Sequence, residues 1–380
     1  MAKNALFTML VLWQKHPHKV GVVLNETIGI LTTANRNGVV GGNLANFRRI
    51  VHEARRQDRA CPILVLTSDG AIVTYRWQDT TRKFNRTIDP WPSVLYNRIP
   101  TREREQDLTV RQQLIDLTTS GRIITNPRFL SKKEVITSFL ALDSDKVIIP
   151  EFIDWPSYED FNRFLCTHSD VYVKPNAKKA GEGIYVLSKT AKYDGFRTYR
   201  LIAQQAGRIQ QLGEVTPKRA YTFLQKKNAQ MDYYVQADAR PVRYAKRRFD
   251  LRVLVQKRAD DRFTVTGMGI RLAKTPESIT THVPNGGKIK SVQEILPTLF
   301  TTAWPSIADA IHQVSLDAAN TLAKLPGIWS EFSLDMGLTR EGKPILYEAN
   351  AKPMKFDERR IEQLAKQRIV ERLIALASLT

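Results

Sequence analysis

The sequence is poor in cysteine and lacks both metal-binding cysteine clusters and hydrophobic runs long enough to cross a membrane. Only two cysteines, Cys61 and Cys166, occur in 380 residues, and they lie far apart. They exclude a disulfide framework and favour the reducing cytoplasm. The apolar run at residues 5–13 is too short to span a bilayer and has no small-residue cleavage site after it. We expect it to form a strand and not a signal peptide.

Acidic residues are outnumbered, since 58 lysines and arginines face 38 aspartates and glutamates, a formal net charge of +20. This excess permits attraction to nucleic acid, to another anionic polymer or to nucleotide phosphates. The basic residues are scattered, however, and no basic tail or nucleic-acid-binding motif accompanies them. Nucleic acid is therefore not expected as the main partner, whereas an anionic polymer stays open.

The composition is that of an ordinary globular protein, with 42% hydrophobic and 25% charged residues. The length suggests two or three domains. Short apolar runs predict strands, and helical spacing of apolar residues predicts helices between them. An N-terminal α/β domain of about 125 residues is expected from strands at residues 20–23, 62–66 and 93–97, with helices at 43–56 and 104–118.

A helix with a well-defined start follows the expected boundary near residue 126. Ser131 and Glu134 form the sequence pattern of a capping box. Lys132 and Lys133 then occupy the first helical turn, where positive charge opposes the helix dipole. At least one of them is expected to have a functional reason to be there, and a solvated surface pair is the alternative.

Farther along, a strand at residues 170–175 carries Lys174 near its end and leads into a basic loop that contains Gly181 and Gly183. A return strand follows at residues 184–187. Such a loop can fold over phosphates through its backbone N–H groups and lysine charge. It is neither a Walker loop nor a dinucleotide fingerprint, because it lacks G-K-[ST] and no helix follows the glycines. A plain glycine turn is the alternative.

The most informative segment is the pair of alternating runs at residues 330–353, which predicts a β-hairpin around the turn at 339–343. With a two-residue loop at residues 341–342, Asp335 lies directly opposite Glu348. Like charges in that arrangement repel each other unless a cation lies between them. Hard oxygen ligands of this kind suit Mg²⁺ together with substrate phosphates.

The same register places Ser333 opposite Asn350, and Glu348 and Asn350 share one face of the hairpin. On the strand predicted at residues 249–256, Asp250 and Arg252 also share a face. An ordinary surface hairpin with a polar outer face is the alternative to a metal site.

Four phrases of the sequence resemble, in this order, the YheC/YheD family of endospore coat-associated proteins within the ATP-grasp superfamily. They lie at residues 96–100, 249–257, 281–287 and 346–355. The resemblance implies a mixed α/β and α+β protein with the ATP-grasp fold, in which two α+β subdomains hold ATP. The expected parts are an N-terminal α/β domain at 1–125, a small subdomain with the glycine loop at 126–235, and a C-terminal subdomain with the metal site at 236–380.

The resemblance also implies roles for individual residues. The nucleotide would be bound by Lys132, Lys174, Gly181, Gly183, Gln236, Ala237 and Asp238. Two Mg²⁺ ions, with Mn²⁺ as the alternative, would be held by Asp335, Glu348 and Asn350. Arg252 and Arg271 would steady the transferred phosphoryl group and the tetrahedral intermediate, while His282 and residues 285–287 close over the acceptor. Lys133 stands where an aromatic residue is expected, so which lysine contacts ATP stays open.

The implied function is an ATP-dependent carboxylate–amine ligase of the peptide type that acts through an acylphosphate. The partners would be a nucleotide and a carboxylate and amine that the sequence does not identify. A nucleotide-binding structural protein of the spore coat without turnover is one alternative, and a polyanion-binding protein is another. The expected location is the cytoplasm, with spore association as a further implication of the resemblance.

Overall fold

A computed structural model describes residues 28–176, 182–190, 197–205 and 208–379, which are organised around three sheets. The strand expected at residues 20–23 and the apolar run at 5–13 lie outside the described residues. No helix in the described ranges combines the length and the apolar character that a membrane span requires.

The first sheet has the strand order β4-β3-β2-β1-β5-β6. Its strands are β1 (Ile28–Thr33), β2 (Ile63–Leu66), β3 (Ile72–Gln78), β4 (Lys83–Thr87), β5 (Val94–Asn97) and β6 (Ile123–Thr125). Strands β2, β1, β5 and β6 run parallel, while β3 and β4 form an antiparallel edge. Parallel strands need both faces covered. Helix α1 (Leu44–Arg56) covers one face and α3 (Leu108–Thr119) the other, which confirms the α/β character of this part.

A short helix, α2 (Arg102–Gln106), precedes α3, so the single helix expected at residues 104–118 is wrong. The side chain of Asp107 accepts hydrogen bonds from the N–H groups of Thr109 and Val110. It thereby caps α3 and starts a new helix at Leu108, as a side-chain oxygen at an N-cap does.

The second sheet is antiparallel, in the order β11-β10-β9-β8-β12-β7. Its strands are β7 (Phe152–Asp154), β8 (Asp170–Pro175), β9 (Ile184–Lys189), β10 (Tyr199–Gln205), β11 (Arg208–Val215) and β12 (Tyr233–Ala237). Helices α5 (Tyr158–Thr167) and α6 (Pro217–Asn228) pack their apolar stripes against one face. The strands predicted on either side of the glycine loop are β8 and β9.

The third sheet, also antiparallel, has the order β15-β14-β13-β16-β17. Its strands are β13 (Phe249–Lys257), β14 (Phe263–Leu272), β15 (Lys288–Lys290), β16 (Glu331–Leu338) and β17 (Pro344–Asn350). One face is covered by α4 (Lys132–Phe139), α7 (Val292–Phe300) and α8 (Trp304–Leu322). The last helix, α9 (Arg359–Ala377), contacts both β13 and the first sheet.

Two segments pack across the expected domain boundaries. Val135 and Phe139 of α4 belong to the core of the third sheet, although α4 was expected with the second. Ile369 and Leu373 of α9 belong to the core of the first sheet. The boundaries at residues 125 and 235 stay a prediction.

The hairpin formed by β16 and β17 has the predicted pairing but a different turn. Asp335 lies opposite Glu348 and Ser333 opposite Asn350, as predicted. The two-residue loop at 341–342 is wrong, because Leu338 pairs with Pro344 and the Thr339 N–H donates to the carbonyl of Lys343.

A β-bulge at Tyr347 reconciles these two observations. The register shifts between Asp335 and Met336, which leaves Tyr347 as an extra residue on β17. A bulge of this kind inserts one residue and re-aims the side chains beyond it. Leu346 consequently faces the core, while Glu348 faces the opposite side of the sheet together with Asp335.

Candidate functional site

The open face of the third sheet carries two buried ion pairs. On β16, Leu334 and Met336 enter the core, so Asp335 points to the opposite face. The Arg271 guanidinium on β14 donates to Asp335 Oδ2 at 2.8 Å and also pairs with Asp250 on β13. Burial acts to lower the pKa of Arg271, but the carboxylates of Asp335 and Asp250 raise it well above its ordinary value. Arg271 is thus a fixed positive charge on this face.

Several buried side-chain oxygens on β13 and β16 lack a protein partner among the described residues. They are Asp335 Oδ1, Asp250 Oδ1 and Ser333 Oγ. Buried polar atoms are nearly always paired, so a group of orphaned oxygens calls for a partner from outside the chain. The orphaned carboxylate oxygen of Asp335, opposite Glu348, is the observation that most favours a cation here.

The donor set suits a hard cation that keeps part of its coordination for other ligands. Asp335 and Glu348 supply carboxylates, and Asn350 Nδ2 donates to Glu348 Oε1 at 3.3 Å, which places the amide beside them. The described residues contain no group of three or more His, Cys, Asp or Glu arranged to hold a metal ion. Two carboxylates and an amide still fit Mg²⁺, which is commonly held by one or two carboxylates plus phosphate oxygens and water.

The capped start of α4 directs its two lysines to different places. The capping box of Ser131 and Glu134 is formed as predicted. Lys133 is exposed and forms an ion pair with Asp154. Lys132 lies with its Nζ 5.7 Å from the ring centre of Tyr234, and burial lowers its pKa while the charge of Glu348 opposes that shift. The geometry therefore favours Lys132 over Lys133 as the lysine that faces the site.

Lys174, near the end of β8, is the second cation of this region. Its Nζ donates to Gln236 Oε1 at 2.7 Å and lies 5.0 Å from the ring centre of Tyr172. Burial and the nearby charge of Lys132 lower the pKa of Lys174 to about 8, and the charge of Glu348 opposes this. Two cations on one side and the carboxylates of the third sheet on the other thus face a common space.

The three predicted nucleotide-binding residues at the end of β12 have protein partners in this structure. The N–H of Ala237 donates to the carbonyl of Glu151 and the N–H of Asp238 to that of Asp170, both at 2.9 Å. Asp238 Oδ2 also accepts from Arg248 at 3.4 Å. Gln236 is buried, and its Nε2 has no partner among the described residues. The nucleotide contacts expected of these residues stay a prediction.

Of the two loop glycines, Gly181 lies outside the described residues. Gly183 has a φ of +75°, and its N–H donates to the carbonyl of Gln204 at 2.9 Å. A left-handed backbone favours glycine. Glycine therefore suits position 183, immediately before β9, because the backbone there is left-handed.

The loop expected to close over the acceptor lies beside the Arg271 ion pairs. Burial lowers the pKa of His282, and the charge of Arg271 acts in the same direction while Asp335 and Asp250 oppose it. A short 3₁₀ helix at Val283–Asn285 follows, and a Cβ at Gly287 would overlap the carbonyl of Thr281. The close backbone approach at Gly287 explains the second glycine of the phrase at residues 281–287.

Arg252 lies directly opposite Asp335 in the β13–β16 register. Its guanidinium is 4.9 Å from the ring centre of Phe356 and donates to the carbonyl of Met354 at 3.4 Å. The Nε of Arg252 is buried without a partner among the described residues. Arg252 therefore retains a donor for an anionic ligand.

Sequence reasoning missed two residues of this region. Asp250, the second partner of Arg271, shares a face with Arg252 in the alternating strand, and that pattern could have identified it. Tyr234, whose ring lies near Lys132, is given no role by the sequence pattern. No local pattern could have found that contact, because α4 and β12 are about a hundred residues apart in sequence.

Comparisons with known proteins agree with this architecture. A family model described as YheC/D-like ATP-grasp matches residues 121–379. The endospore coat-associated protein YheD of Bacillus subtilis (strain 168) is 26% identical over 275 residues, which cover 71% of this chain and 58% of that protein. The chain thus spans less than two thirds of the length of this curated relative.

Two solved ligase structures are similar across nearly the whole chain. The D-alanine-D-alanine ligase from Coxiella burnetii superposes with a TM-score of 0.52 at 10% identity, covering 93% of this chain and 96% of that one. The ATP-grasp ligase PsnB, complexed with a phosphomimetic variant of its minimal precursor, Mg and ADP, gives 0.50 at 14% identity, covering 92% and 99%. At these identities the likeness establishes the ATP-grasp fold alone.

Proposed function

The chain belongs to the YheC/D-like ATP-grasp family, and on that basis we propose that it is an ATP- and Mg²⁺-dependent ligase joining a carboxylate to an amine through an acylphosphate. One observation carries the proposal. Lys132 and Lys174 lie near the cross-strand pair Asp335 and Glu348: Tyr234, next to Lys132 Nζ, is paired with Lys174, and α4 packs against β17, the strand of Glu348. Cations opposite a carboxylate pair are the arrangement that a metal-bound polyphosphate requires.

The chemistry follows from the poor reactivity of a carboxylate, whose leaving group would be oxide. Transfer of the γ-phosphoryl group of ATP to a carboxylate oxygen gives an acylphosphate and ADP. An amine then attacks the carbonyl carbon, so that the C–N bond forms while the bond to phosphate breaks. Bound Mg²⁺, held by Asp335, Glu348 and Asn350, would supply charge neutralisation for the phosphates.

The remaining roles belong to the chain's own cations. Lys132 and Lys174 would bind phosphate oxygens of ATP, which explains why two half-buried lysines are kept close together. Arg271 is already oriented by Asp250 and Asp335, and preorganised charge of this kind stabilises charge that develops in a transition state. Arg252 would direct its unpaired Nε toward the phosphoryl group or the acyl oxygen.

The test is a screen that follows both products. The protein with ATP and Mg²⁺ is incubated with pairs drawn from carboxylic acids, amino acids and short peptides, and ADP and phosphate are measured. We expect stoichiometric ADP and phosphate only when a carboxylate and an amine are both present. Asp335→Asn should abolish the signal, whereas Asp143→Asn on the exposed surface should not. Failure of the wild-type protein to bind ATP with Mg²⁺ would refute the proposal.

A second candidate is a nucleotide-binding protein of the spore coat without turnover. It is favoured by the description of the relative YheD as endospore coat-associated. Saturable ATP·Mg²⁺ binding without ADP from any acid and amine pair would support this candidate against the ligase. Fractionation of spores and cytoplasm from the native host would test the proposed cytoplasmic location and the proposed association with spores.

The net charge of +20 motivates a third candidate, a polyanion-binding protein. Binding to DNA or to an anionic polymer that falls steeply with salt would be its signature. This binding should persist in Lys174→Ala and Asp335→Ala if it is independent of the nucleotide site. Loss of polymer binding in those variants would instead show that the polymer binds through the nucleotide site.

A further inference from the structure

Two glycines of β14 bring the start of α9 onto the open face of the third sheet. Gly267 and Gly269 lie on the same face as Arg271. A Cβ at Gly267 would lie 2.6 Å from Ile361 Cγ1, and one at Gly269 would overlap the carboxylate of Glu358. Glycine within a strand often marks such a close approach. The Glu358 carboxylate therefore lies directly over the backbone of β14.

The side chain of Glu358 neither caps a helix nor forms an ion pair among the described residues. Glu358 is the N-cap residue of α9, yet its side chain makes no capping hydrogen bond. Among the residues that the structure describes, no cation lies within ion-pair distance of its carboxylate. The carboxylate is turned away from the helix and onto the sheet, where it has no partner among the described residues.

The neighbour of Glu358 on this face is the phosphoryl-group candidate Arg252. Gly269 is paired with Arg252 across β13 and β14, and Arg252 is paired with Asp335 on its other side. Arg252 and Glu358 form no ion pair, and the buried Arg252 Nε lacks a partner within the described ranges. An unpaired donor and an unpaired carboxylate thus lie side by side, next to the metal-site strand.

A cleft of about 650 Å³ opens beside Glu358. Its lining includes the apolar side chains of Met268, Ile289 and Ile361 and the charged side chains of Lys290, Glu294, Glu358 and Arg360. Its volume is in the range of small-molecule sites, about 300–1,000 Å³. Lys290 is neutralised by Glu294 at 2.6 Å, so Glu358 is the carboxylate of this cleft that remains free for a ligand.

We propose that this cleft binds the amine acceptor and that Glu358 receives its ammonium group. The inference rests on the proposed ligase function and names the substrate class of that site: a primary amine on a partly apolar molecule of amino-acid or short-peptide size. Ile289, Ile361 and Met268 supply the apolar wall, and Glu358 supplies a carboxylate that forms no ion pair among the described residues.

The chemistry gives Glu358 a second role, as the base. An ammonium group must lose a proton before its nitrogen can attack, and Glu358 accepts that proton. The freed lone pair attacks the acylphosphate carbon, the C–N bond forms, and the C–O bond to phosphate breaks with its electrons leaving on phosphate. The second amine proton goes to the departing phosphate. Arg252, one strand away, stabilises the negative charge on the acyl oxygen.

The experiment uses the full chain loaded with ADP and Mg²⁺. The probe is n-butylammonium, with 1-butanol as the uncharged comparison and butanoate as the oppositely charged one. Saturation-transfer NMR titration gives the Kd of each probe, and a fluorescent ADP gives the nucleotide Kd. We expect butylammonium to bind more tightly than either comparison. Glu358→Gln should raise its Kd at least about tenfold, as loss of a hydrogen bond to a charged group does, with the ADP Kd unchanged.

Two further variants separate the position of the carboxylate from its charge. Gly269→Ala keeps Glu358 but displaces the end of its flexible side chain, so the butylammonium Kd should rise with little change in melting temperature. Glu341→Gln is the matched control, since it removes the carboxylate of an exposed glutamate in the β16–β17 turn that does not line the cleft. It should change the butylammonium Kd less than twofold.

The outcomes distinguish this inference from the function on which it rests. Equal butylammonium affinity in wild type and Glu358→Gln, or no binding at all to the ADP-loaded protein, would overturn the acceptor site and leave nucleotide binding intact. A wild-type protein that binds no ADP with Mg²⁺ would overturn the proposed function, and the acceptor site with it.

Discussion

Lys174 is held in a state that nucleotide binding should change. Its side chain is half-buried, has an uncharged hydrogen-bond partner in Gln236, and lies near a second cation, Lys132. Burial and that repulsion lower its pKa from 10.5 to about 8. Between these two values the unfolded chain holds the proton more firmly than the folded one. The contribution of Lys174 to stability therefore rises with pH across this window.

ATP should reverse this shift, because phosphate charge favours the protonated amine. We expect ATP binding near pH 8–9 to take up a fraction of a proton and the ATP affinity to fall as the pH rises through about 8. Calorimetry in buffers of different ionisation enthalpy measures the uptake. Lys174→Gln should abolish it, whereas Lys133→Gln, which removes an exposed lysine paired with Asp154, should not. Equal uptake in both variants would contradict the assignment.

Glu348 offers a second test at the scale of one residue. Glu348→Ala should abolish Mg²⁺-dependent ATP binding, because it removes a proposed metal ligand. It should leave the melting temperature nearly unchanged, since it also removes the repulsion from Asp335 across the hairpin. Isothermal titration and thermal melts are the measurements, and Glu341→Ala in the exposed turn is the control. A large fall in melting temperature with the ATP affinity retained would make Glu348 a structural residue.

At the scale of the element, the bulge in β17 decides which side chains reach the site. Without the extra residue at Tyr347, the register fixed by the turn would place Glu348 on the core face, because side chains alternate along a strand. The Tyr347 ring lies against Gly337 on the neighbouring strand, where a Cβ would overlap the phenol. Gly337 thus leaves the room that the bulge needs.

Gly337→Ala should therefore disturb both stability and metal binding. The ring of Tyr347 is rigid and half-buried, so the strand must shift. We expect a loss of about 1–3 kcal/mol in the free energy of unfolding, the usual cost of overpacking, and a weaker Mg²⁺ affinity. Urea denaturation and Mg²⁺ titration measure the two effects. In a Tyr347→Ala background the same substitution should cost little, and an equal cost in both backgrounds would contradict the steric account.

At the scale of the whole molecule, two of the phrases that carry the family resemblance meet in space. Arg98, after β5, donates to the carbonyl of Pro353 at 2.7 Å. Lys352, just after β17, forms a buried ion pair with Glu105. Glu105 in turn accepts from the N–H of Phe129 at 2.7 Å. The first sheet thereby holds the segment whose Met354 carbonyl contacts Arg252.

Removing only the lysine of the ion pair between Lys352 and Glu105 should lower the free energy of unfolding. Lys352→Met leaves Glu105 as an uncompensated buried charge, which typically destabilises a protein by about 3–5 kcal/mol. Urea denaturation measures the free energy of unfolding. Lys146→Met, which breaks an exposed pair with Asp143, should change it by less than about 0.5 kcal/mol. The double variant Glu105→Gln with Lys352→Met should be more stable than Lys352→Met alone, and the reverse order would count against the ion-pair account.

The sequence predicted more of the site than of the elements that build it. The capping box at Ser131, the strands around Lys174 and the pairing of Asp335 with Glu348 were all readable, because each depends on neighbouring residues. The β3–β4 hairpin was not predicted, because its exposed strand β4 lacks an apolar run. The bulge at Tyr347 was not predicted either, since no local sequence pattern distinguishes a strand with one extra residue from a regular strand.

By itself, the sequence determined the local chemistry: which residues carry charge, where helices begin, and which carboxylates share a strand face. Only the tertiary structure decided which of those charges act together. It paired Lys133 with Asp154 while Lys132 faces the candidate site. It also placed Arg271 between Asp250 and Asp335 and formed the ion pair of Lys352 with Glu105. The physical reason is that propensity and alternation act over a few residues, whereas ion pairs and orphaned oxygens are set by packing between segments far apart in the chain.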